Sequence, residues 1–262
     1  RDFKERPEQD DLSEAWAATD LAFEFESGEV DIVIQDLQSV FNLNDFISSN
    51  EGNSLIAEKL SLLSSQIGLN PSWMDELLDF SDIDGEVRPG GAEDYYYLGL
   101  ERPYRTSGQP LQDLSEIRLL RTMTDEAYGR LSEVMTVLPT AGGALNVNTA
   151  PPMVLQTLAT DLNLESATSL AESRLRVDGF ESVEQFLQQP ELAGLAVKPA
   201  GLGVQSSFFK VNTRARFGSQ IVFLTSFVFR DATTGKMTVY QRKNNERFTP
   251  FVPEEEILAN GL

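Results

Sequence analysis

FFKVNTRARF, at residues 208–217, and IVFLTSFVF, at residues 221–229, are the two stretches that decide the fold. In the first stretch apolar and polar side chains alternate, which predicts a strand with one buried face. The second stretch is apolar on both faces, as expected of a central, covered strand. A turn is predicted between them at Gly218 and Ser219, and the alternation returns at residues 237–242 after a hairpin loop. The chain is therefore predicted to end in three consecutive antiparallel strands.

The beginning of the chain is expected to add one helix and one strand. Within residues 11–26, apolar side chains recur at spacings of three and four, which predicts a helix that ends at Gly28. Residues 30–34 read VDIVI and predict a short strand, because β-branched side chains favour extended backbone. Trp16 and Phe23 lie on the predicted helix, where they are expected to face the core. A compatible alternative is that part of this helix lies against neighbouring subunits.

Helical periodicity dominates the middle of the chain. Helices are predicted at residues 54–68, 71–80, 114–120, 125–138, 151–158, 166–176 and 182–188. Residues 81–108 have almost no periodicity, and a segment of that length inside a compact protein is usually functional or tied down. The fold class is therefore predicted to be α+β, with an all-α domain at residues 53–204 inserted into a smaller domain formed by residues 1–52 and 205–262.

The composition limits the chemistry of the protein. Asp and Glu total 41 against 21 Lys and Arg, a formal net charge of −20. This charge argues against a nucleic-acid partner, because such partners are held largely by cation–phosphate contacts. The absence of Cys and His excludes a thiol nucleophile, a Ser-His-Asp triad and a zinc site of the usual kind. Carboxylate chemistry and the binding of hard cations remain. No apolar run approaches the roughly 20 residues that are needed to span a bilayer.

Carboxylates crowd residues 79–94, among Gly and Pro residues that let the backbone fold tightly. Calcium is bound by about six to eight oxygen atoms, including backbone carbonyls, so this segment suits a calcium site. A solvated acidic loop explains the same composition. A third reading is an acid–base pair of carboxylates, as in glycoside hydrolases, with Tyr95, Tyr96, Tyr97 and Tyr104 nearby to line a cleft. The residues alone leave these alternatives open.

Several segments, taken in order, resemble the general secretion pathway protein K family. The segments are DLQSVFNLN at 36–44, PGGAEDYY at 89–96, PYR at 103–105, PL at 110–111 with SEIR at 115–118, and NVNTAP at 146–151. Each segment is short, but the series covers most of the chain in one order. Members of this family are minor pseudopilins of the bacterial type II secretion system.

The resemblance implies a structural protein rather than an enzyme. Family members combine a pilin-like domain, which has an N-terminal helix and an antiparallel sheet, with a large inserted all-α domain. They form a heterotrimer with the I and J minor pseudopilins, and this tip complex is expected to initiate or cap the pseudopilus during protein export. Trp16 and Phe23 become the expected partner contacts. A membrane helix that this chain lacks is expected to anchor the protein in the inner membrane, with the soluble part in the periplasm.

The resemblance also implies calcium in the inserted domain. Transferred to this sequence, it makes the acidic segment the expected ligand region, with Asp82, Asp84, Glu93 and Asp94 as ligands and Asp79 as a further one. Two alternatives to an assembly subunit stay open, namely a carboxylate-dependent glycoside hydrolase and a calcium-dependent extracellular binding module.

Overall fold

A five-stranded antiparallel sheet brings the two ends of the chain together. The computed structural model describes residues 6–18, 21–48 and 54–248. The strands in chain order are β1 (Leu21–Phe25), β2 (Gly28–Asp36), β3 (Phe41–Asn42), β4 (Met135–Thr136), β5 (Leu145–Asn146), β6 (Leu202–Gly203), β7 (Phe208–Phe217), β8 (Gln220–Arg230) and β9 (Met237–Asn244). The large sheet has the order β1-β2-β7-β8-β9, and each neighbouring pair in it is antiparallel. The opening strands and the three predicted closing strands therefore share one sheet, and the α+β class is confirmed.

The predicted helix over residues 11–26 is wrong. A short 3-10 helix covers Ala15–Ala17, and β1 occupies the later part of the segment; residues 19 and 20 lie outside the described ranges. The apolar side chains of β1 also fit a period of two. Which period the backbone follows depends on its neighbours, and β1 pairs along its whole length with β2.

The strand predicted at residues 30–34 is confirmed and is longer, because β2 runs from Gly28 to Asp36. Gly28 begins this strand instead of ending a helix. A Cβ atom at Gly28 would lie 2.1 Å from the carbonyl oxygen of Arg216 on β7, so the close approach of the two strands requires glycine there.

β8 lies between β7 and β9, as predicted for a central strand, but it is not covered along its length. Ile221 and Val222 are 52% and 57% exposed. Because successive side chains of a strand point to opposite faces, both faces of β8 are open at this end. At its other end, Phe229 packs on a small core cluster that includes Leu37 and Phe208.

The middle of the chain forms a helical body. Its helices are α1 (Leu43–Ile47), α2 (Ser54–Gln66), α3 (Ser72–Ser81), α4 (Asp94–Tyr97), α5 (Asp125–Ser132), α6 (Pro152–Gln156), α7 (Leu164–Ser173) and α8 (Val183–Leu187), and 3-10 helices cover Leu37–Ser39, Leu114–Leu119, Arg174–Arg176 and Pro190–Leu192. One hydrophobic core cluster fills the body and includes Trp73, Phe80, Phe180 and Phe186. No helix within the described ranges is long and apolar enough to cross a membrane.

Most of the predicted helices are confirmed to within a few residues. The exception is the prediction for residues 125–138, because α5 ends at Ser132 and the backbone then extends so that β4 pairs in parallel with β3. This short pairing is a contact between distant parts of the chain, which a local pattern does not reveal. The proposed domain boundaries, after residues 52 and 204, stay predictions.

The segment that precedes the sheet is fixed at the junction between the sheet and the helical body. The Asp10 backbone N–H donates to the Val204 carbonyl at 2.9 Å, and the Asn146 side-chain amide donates to the Asp10 carbonyl at 3.1 Å. Asp10 Oδ2 accepts from the Ser206 backbone N–H at 2.8 Å and from Arg230 Nη2. The Asp10 and Arg230 side chains are 1% and 6% exposed, so this ion pair is buried.

Candidate metal centre

Three carboxylates meet where helix α3 ends. Asp79 lies in the last turn of α3, and Asp82 ends the helix with its N–H donating to the Leu78 carbonyl at 3.0 Å. The following loop returns so that Glu93, directly before α4, faces the same point. Asp79, Asp82 and Glu93 each offer one oxygen, and these oxygens lie within 4.8 Å of one another. Asp79 and Glu93 are buried, and Asp82 is half-buried.

Among the described residues, Arg88 provides the positive charge that pairs with this cluster. Its Nη1 donates to Asp79 Oδ1 and to Asp82 Oδ2, both at 2.6 Å. Its backbone N–H also donates to Asp79 Oδ2 at 3.2 Å. One guanidinium against three ionised carboxylates leaves a formal charge of 1 − 3 = −2 in a mostly buried place. Buried charges are costly unless they are paired, so the cluster favours a further cation.

Two oxygens of the cluster have no hydrogen-bond partner among the described residues. Glu93 Oε1 and Asp82 Oδ1 are sealed from solvent and unpartnered, and so is the nearby Ser81 hydroxyl. Buried oxygens without a partner are rare in folded proteins. Burial is the main cause that raises the pKa of Glu93 to about 7, and the charges of Asp79 and Asp82 contribute to this rise. The local structure is thus arranged for a positive charge beyond that of Arg88.

The donor set fits a hard divalent cation. It consists only of oxygen atoms, with three carboxylates and unpartnered oxygens directed at one point. Calcium accepts such donors in flexible geometry and completes its shell with backbone carbonyls and water. Asp79, Asp82 and Glu93 are therefore the residues that would hold calcium here. The sequence analysis did not identify Arg88 as part of the site. Arg88 is the only Lys or Arg between residues 79 and 94, and a single positive charge among these carboxylates could have identified it.

Asp84 lies beside the cluster rather than in it. It is exposed, and its Oδ1 accepts from the Glu86 backbone N–H at 2.8 Å, which closes a turn. Its charge still contributes to the raised pKa of Glu93, so it is near enough to act through space. As a direct ligand, Asp84 stays a prediction.

Asp94 has other partners than the cluster. Its Oδ1 accepts from the Thr106 backbone N–H at 2.8 Å and from the Thr106 hydroxyl at 3.0 Å. Its Oδ2 accepts from Arg105 Nη1 at 2.5 Å. The backbone hydrogen bond from Thr106 is the main cause that lowers the pKa of Asp94. These contacts tie residues 105 and 106 to the start of α4, so the structure does not bring Asp94 together with the three converging carboxylates.

The tyrosines near the acidic segment do not form a cleft around these carboxylates. Tyr97 is fully buried and packs against Phe80 and Tyr104, with ring centroids 5.8 and 5.2 Å away. The Tyr104 hydroxyl donates to the Leu119 carbonyl at 2.6 Å. Tyr95 is 94% exposed. The aromatic walls that a glycoside hydrolase would use to hold a sugar are therefore not assembled from these side chains.

Replacing Gly91 with alanine is expected to destabilise the protein by about 1–3 kcal/mol, as overpacking of a filled site does. A Cβ atom at Gly91 would lie 1.8 Å from Asp79 Oδ2, so the carboxylate would have to move. The matched control is Gly85→Ala in the same loop, where an added Cβ has no atom of the described residues within 4 Å. Urea denaturation measures both variants, and equal stabilities would show that Asp79 is not held against Gly91.

Trp16 and Phe23 are separated by the structure. Trp16 lies in the 3-10 helix, half-buried, with Nε1 donating to Glu14 Oε2 at 2.6 Å and its ring edge-on to Phe209 at 5.3 Å. Phe23 lies on β1 and is 50% exposed. The premise that both occupy one helix is wrong, and Phe23 is the more accessible of the two. Their roles in partner binding stay predictions.

Family models and relatives from other bacteria match this chain. Two family models, both described as type II secretion system protein K, match residues 39–140 and 145–205. The type II secretion system protein K of Aeromonas hydrophila is 30% identical over 263 aligned residues, which cover 93% of this chain and 79% of the relative. The protein of that name from Klebsiella pneumoniae is 33% identical over 204 residues, which cover 73% of this chain and 62% of the relative.

A solved structure shares the fold. It is a chain of the GspK-GspI-GspJ complex from the enterotoxigenic Escherichia coli type 2 secretion system, and it matches with a TM-score of 0.76 and 25% sequence identity. The match covers 91% of the present chain and 88% of the solved one. A likeness over that share of both chains includes the sheet and the helical body together.

Proposed function

Because the chain belongs to the type II secretion system protein K family, we propose that it is a minor pseudopilin that assembles with the I and J minor pseudopilins into the tip complex of the pseudopilus. The observation that carries this proposal is the likeness, over 91% of the chain, to a solved complex that contains K, I and J proteins. In this role the protein is a structural component whose work is assembly, and it initiates or caps the pseudopilus during protein export.

The organisation of the fold supports a position at the tip. The helical body is inserted between β2 and β7, beside the five-stranded sheet. A body of this size is difficult to fit between stacked subunits, so we infer that it projects from the end of the filament. The family resemblance further supports a location at the inner membrane, through a helix outside this sequence, with the described residues in the periplasm.

An apolar row on the sheet is proposed as the contact surface for partner subunits. Phe23, Val30, Ala215 and Val222 lie directly opposite one another across four strands, and opposed residues share a face. Phe23 and Val222, at the two ends of this row, are 50% and 57% exposed. Exposed apolar side chains in a continuous row favour contact with another protein. Phe23 thus remains a proposed partner contact, from a strand rather than from a helix.

Calcium is proposed as the ion of the Asp79, Asp82 and Glu93 cluster. The support is the formal charge of −2, the two sealed carboxylate oxygens that no described residue bonds, and the raised pKa of Glu93. When bound, calcium would neutralise the cluster and fix the loop between α3 and α4. In this proposal the ion stabilises the helical body and takes part in no reaction.

Assembly is expected when the purified chain is mixed with the soluble parts of the I and J minor pseudopilins of the same system. Size-exclusion chromatography with light scattering should show one peak with the mass of the heterotrimer. The Phe23→Asp variant is expected to weaken assembly about tenfold or more, because a charge would be buried in the apolar contact. The matched control is Leu164→Asp on the helical body, since Leu164 is also 50% exposed.

Two outcomes would count against the assembly proposal. Separate elution of the unaltered chain from both partners would remove its main support. An equal loss of assembly in the Phe23 and Leu164 variants would leave the assembly proposal standing. It would exclude the sheet row as the contact surface.

A further inference from the structure

Lys59 is a buried cation between two cavities of the helical body. It lies on α2 and is 7% exposed. One cavity, of about 300 Å³, lies between α2, residues 40–45 and the glycine-rich loop at 142–144. The other, of about 320 Å³, lies between α2, residues 157–161 and residues 194–198. Lys59 and Leu55 form the wall that both cavities share.

Within the described part of the chain, the Lys59 ammonium forms no hydrogen bond and no ion pair. Glu58, its neighbour on the helix, pairs with Lys198 at 3.4 Å instead. The other deeply buried cations have acceptors: Arg174 donates to the Ala150 carbonyl at 2.7 Å, and Arg230 binds Asp10. Lys59 Nζ is not among the sealed unpartnered atoms of these residues, so it keeps some accessible surface, and Lys59 lines both cavities.

The fold gains little from a lysine at this position. An unpaired ammonium in a low-dielectric place is unfavourable, and apolar residues of similar volume usually serve stability better. Burial lowers the pKa of Lys59, and the charge of the nearby Lys198 lowers it further. A methionine would fill the same space without the charge. Stability therefore does not explain Lys59, whereas an incoming anion would.

We propose that Lys59 anchors a binding site for a carboxylate group on a short aliphatic stem, in the cavity that Lys59 shares with Lys198. Lys198 stands at the exposed side of this cavity, so a second ammonium lies on the approach to Lys59. Leu55, Leu62 and Leu158 supply apolar wall for the stem. Glu58 and Asp161 also line this cavity, and the Glu58 carboxylate is already paired with Lys198. Among the residues that line the other cavity, Lys59 is the one cation and Asp45 the one carboxylate, so that cavity offers no second ammonium. The carboxylate has two sources, a free monocarboxylate or an Asp or Glu side chain of a partner subunit.

Sodium butyrate is the probe for the first source, and n-butanol is its uncharged counterpart. Titration of the chain, labelled with carbon-13 at lysine, should give a saturable shift of the Lys59 ε-methylene signal with butyrate and none with butanol. The shift should be absent in Lys59→Met and present in Lys236→Met, which removes an exposed lysine outside the cavities. Lys59→Met should melt at the same temperature as the unaltered chain or higher, which separates loss of binding from loss of folding.

The soluble I and J minor pseudopilins test the second source. If a partner supplies the carboxylate, adding I and J should shift the Lys59 signal, and Lys59→Met should weaken assembly about tenfold, as loss of a buried charge pair does. This arm rests on the proposed assembly, which the unaltered chain tests independently. A shift with butyrate alone identifies a small carboxylate as ligand. The proposal is overturned if neither butyrate nor the partners shift the Lys59 signal, or if Lys59→Met unfolds.

Discussion

Replacing Arg230 with methionine is expected to lower the free energy of unfolding by about 3–5 kcal/mol, because Asp10 would keep a buried charge without its partner. Arg230 Nη2 donates to Asp10 Oδ2 and to the Ser206 carbonyl, the latter at 2.6 Å. The guanidinium also lies over the Phe209 ring, 5.1 Å from its centroid. Methionine keeps much of the apolar stem but none of the donors, so the loss measures the charge and the hydrogen bonds.

Urea denaturation followed by circular dichroism measures this loss. The matched control is Arg216→Met on the same sheet, where Arg216 pairs with Glu29 at 2.7 Å but is 53% exposed. Exposed ion pairs contribute little to stability, so the control should unfold almost like the unaltered chain. Adding Asp10→Asn to Arg230→Met should restore part of the stability, since the uncompensated charge is then gone. Similar losses in the two methionine variants would contradict the special role of the buried pair.

The position of this ion pair explains why its effect should be large. Asp10 connects three parts of the protein: the segment before the sheet, residue 206 at the entry to β7, and Asn146 of the helical body. Arg230 ends β8 in the same place. Removing the pair therefore loosens the junction between the sheet and the body, and not one element alone.

Removing calcium is expected to lower the melting temperature by about 5–10 °C. At a free concentration 100 times the dissociation constant, a ligand of the native state adds about 2.7 kcal/mol, and one kcal/mol shifts the melting point of a chain of this size by about 2–4 °C. The comparison is between excess calcium and excess chelator, followed by differential scanning calorimetry. The proposed ion would neutralise the Asp79, Asp82 and Glu93 cluster, in which two sealed oxygens have no partner in the described part of the chain.

Single substitutions locate the ion. Glu93→Gln and Asp79→Asn should abolish the calcium response, because each removes a charge that converges on the site. The control Glu101→Gln, at an exposed carboxylate outside the cluster, should keep the full response. Asp84→Asn is expected to reduce the response only in part, because this residue acts on the cluster through space. A melting point that is indifferent to calcium in the unaltered chain would sink the proposal for a structural ion.

Local patterns were sufficient for the later strands and for most helices. The alternation at residues 208–217 indicates extended backbone, because a period of two has no helical equivalent. The apolar run at 221–229 indicates a strand through its β-branched and aromatic side chains. Within the segment predicted as a helix, residues 21–25 fit both periods, and pairing of β1 with β2 decided in favour of a strand. The burial of β8 also depends on contacts with distant parts of the chain. The sequence therefore could not show that the end of β8 at Ile221 and Val222 is exposed.

The acidic segment was visible in the sequence, but its internal division was not. Composition pointed to residues 79–94 as a cation site. Which carboxylates converge depends on where α3 ends and how the loop returns, and this brings Asp79, Asp82 and Glu93 within 4.8 Å while Thr106 and Arg105 bind Asp94. The same return of the loop also brings the Arg88 guanidinium to Asp79 and Asp82.

The sequence by itself determined the composition of the protein, its order of strands and helices near the end of the chain, and its family. The tertiary structure alone decided which side chains meet: the Asp10 and Arg230 pair, which are 220 residues apart, and Lys59, which has no partner in the described residues. The physical reason is the distance along the chain over which each effect acts. Periodicity and propensity act over a few neighbouring residues, whereas burial and charge pairing depend on contacts between distant parts of the chain.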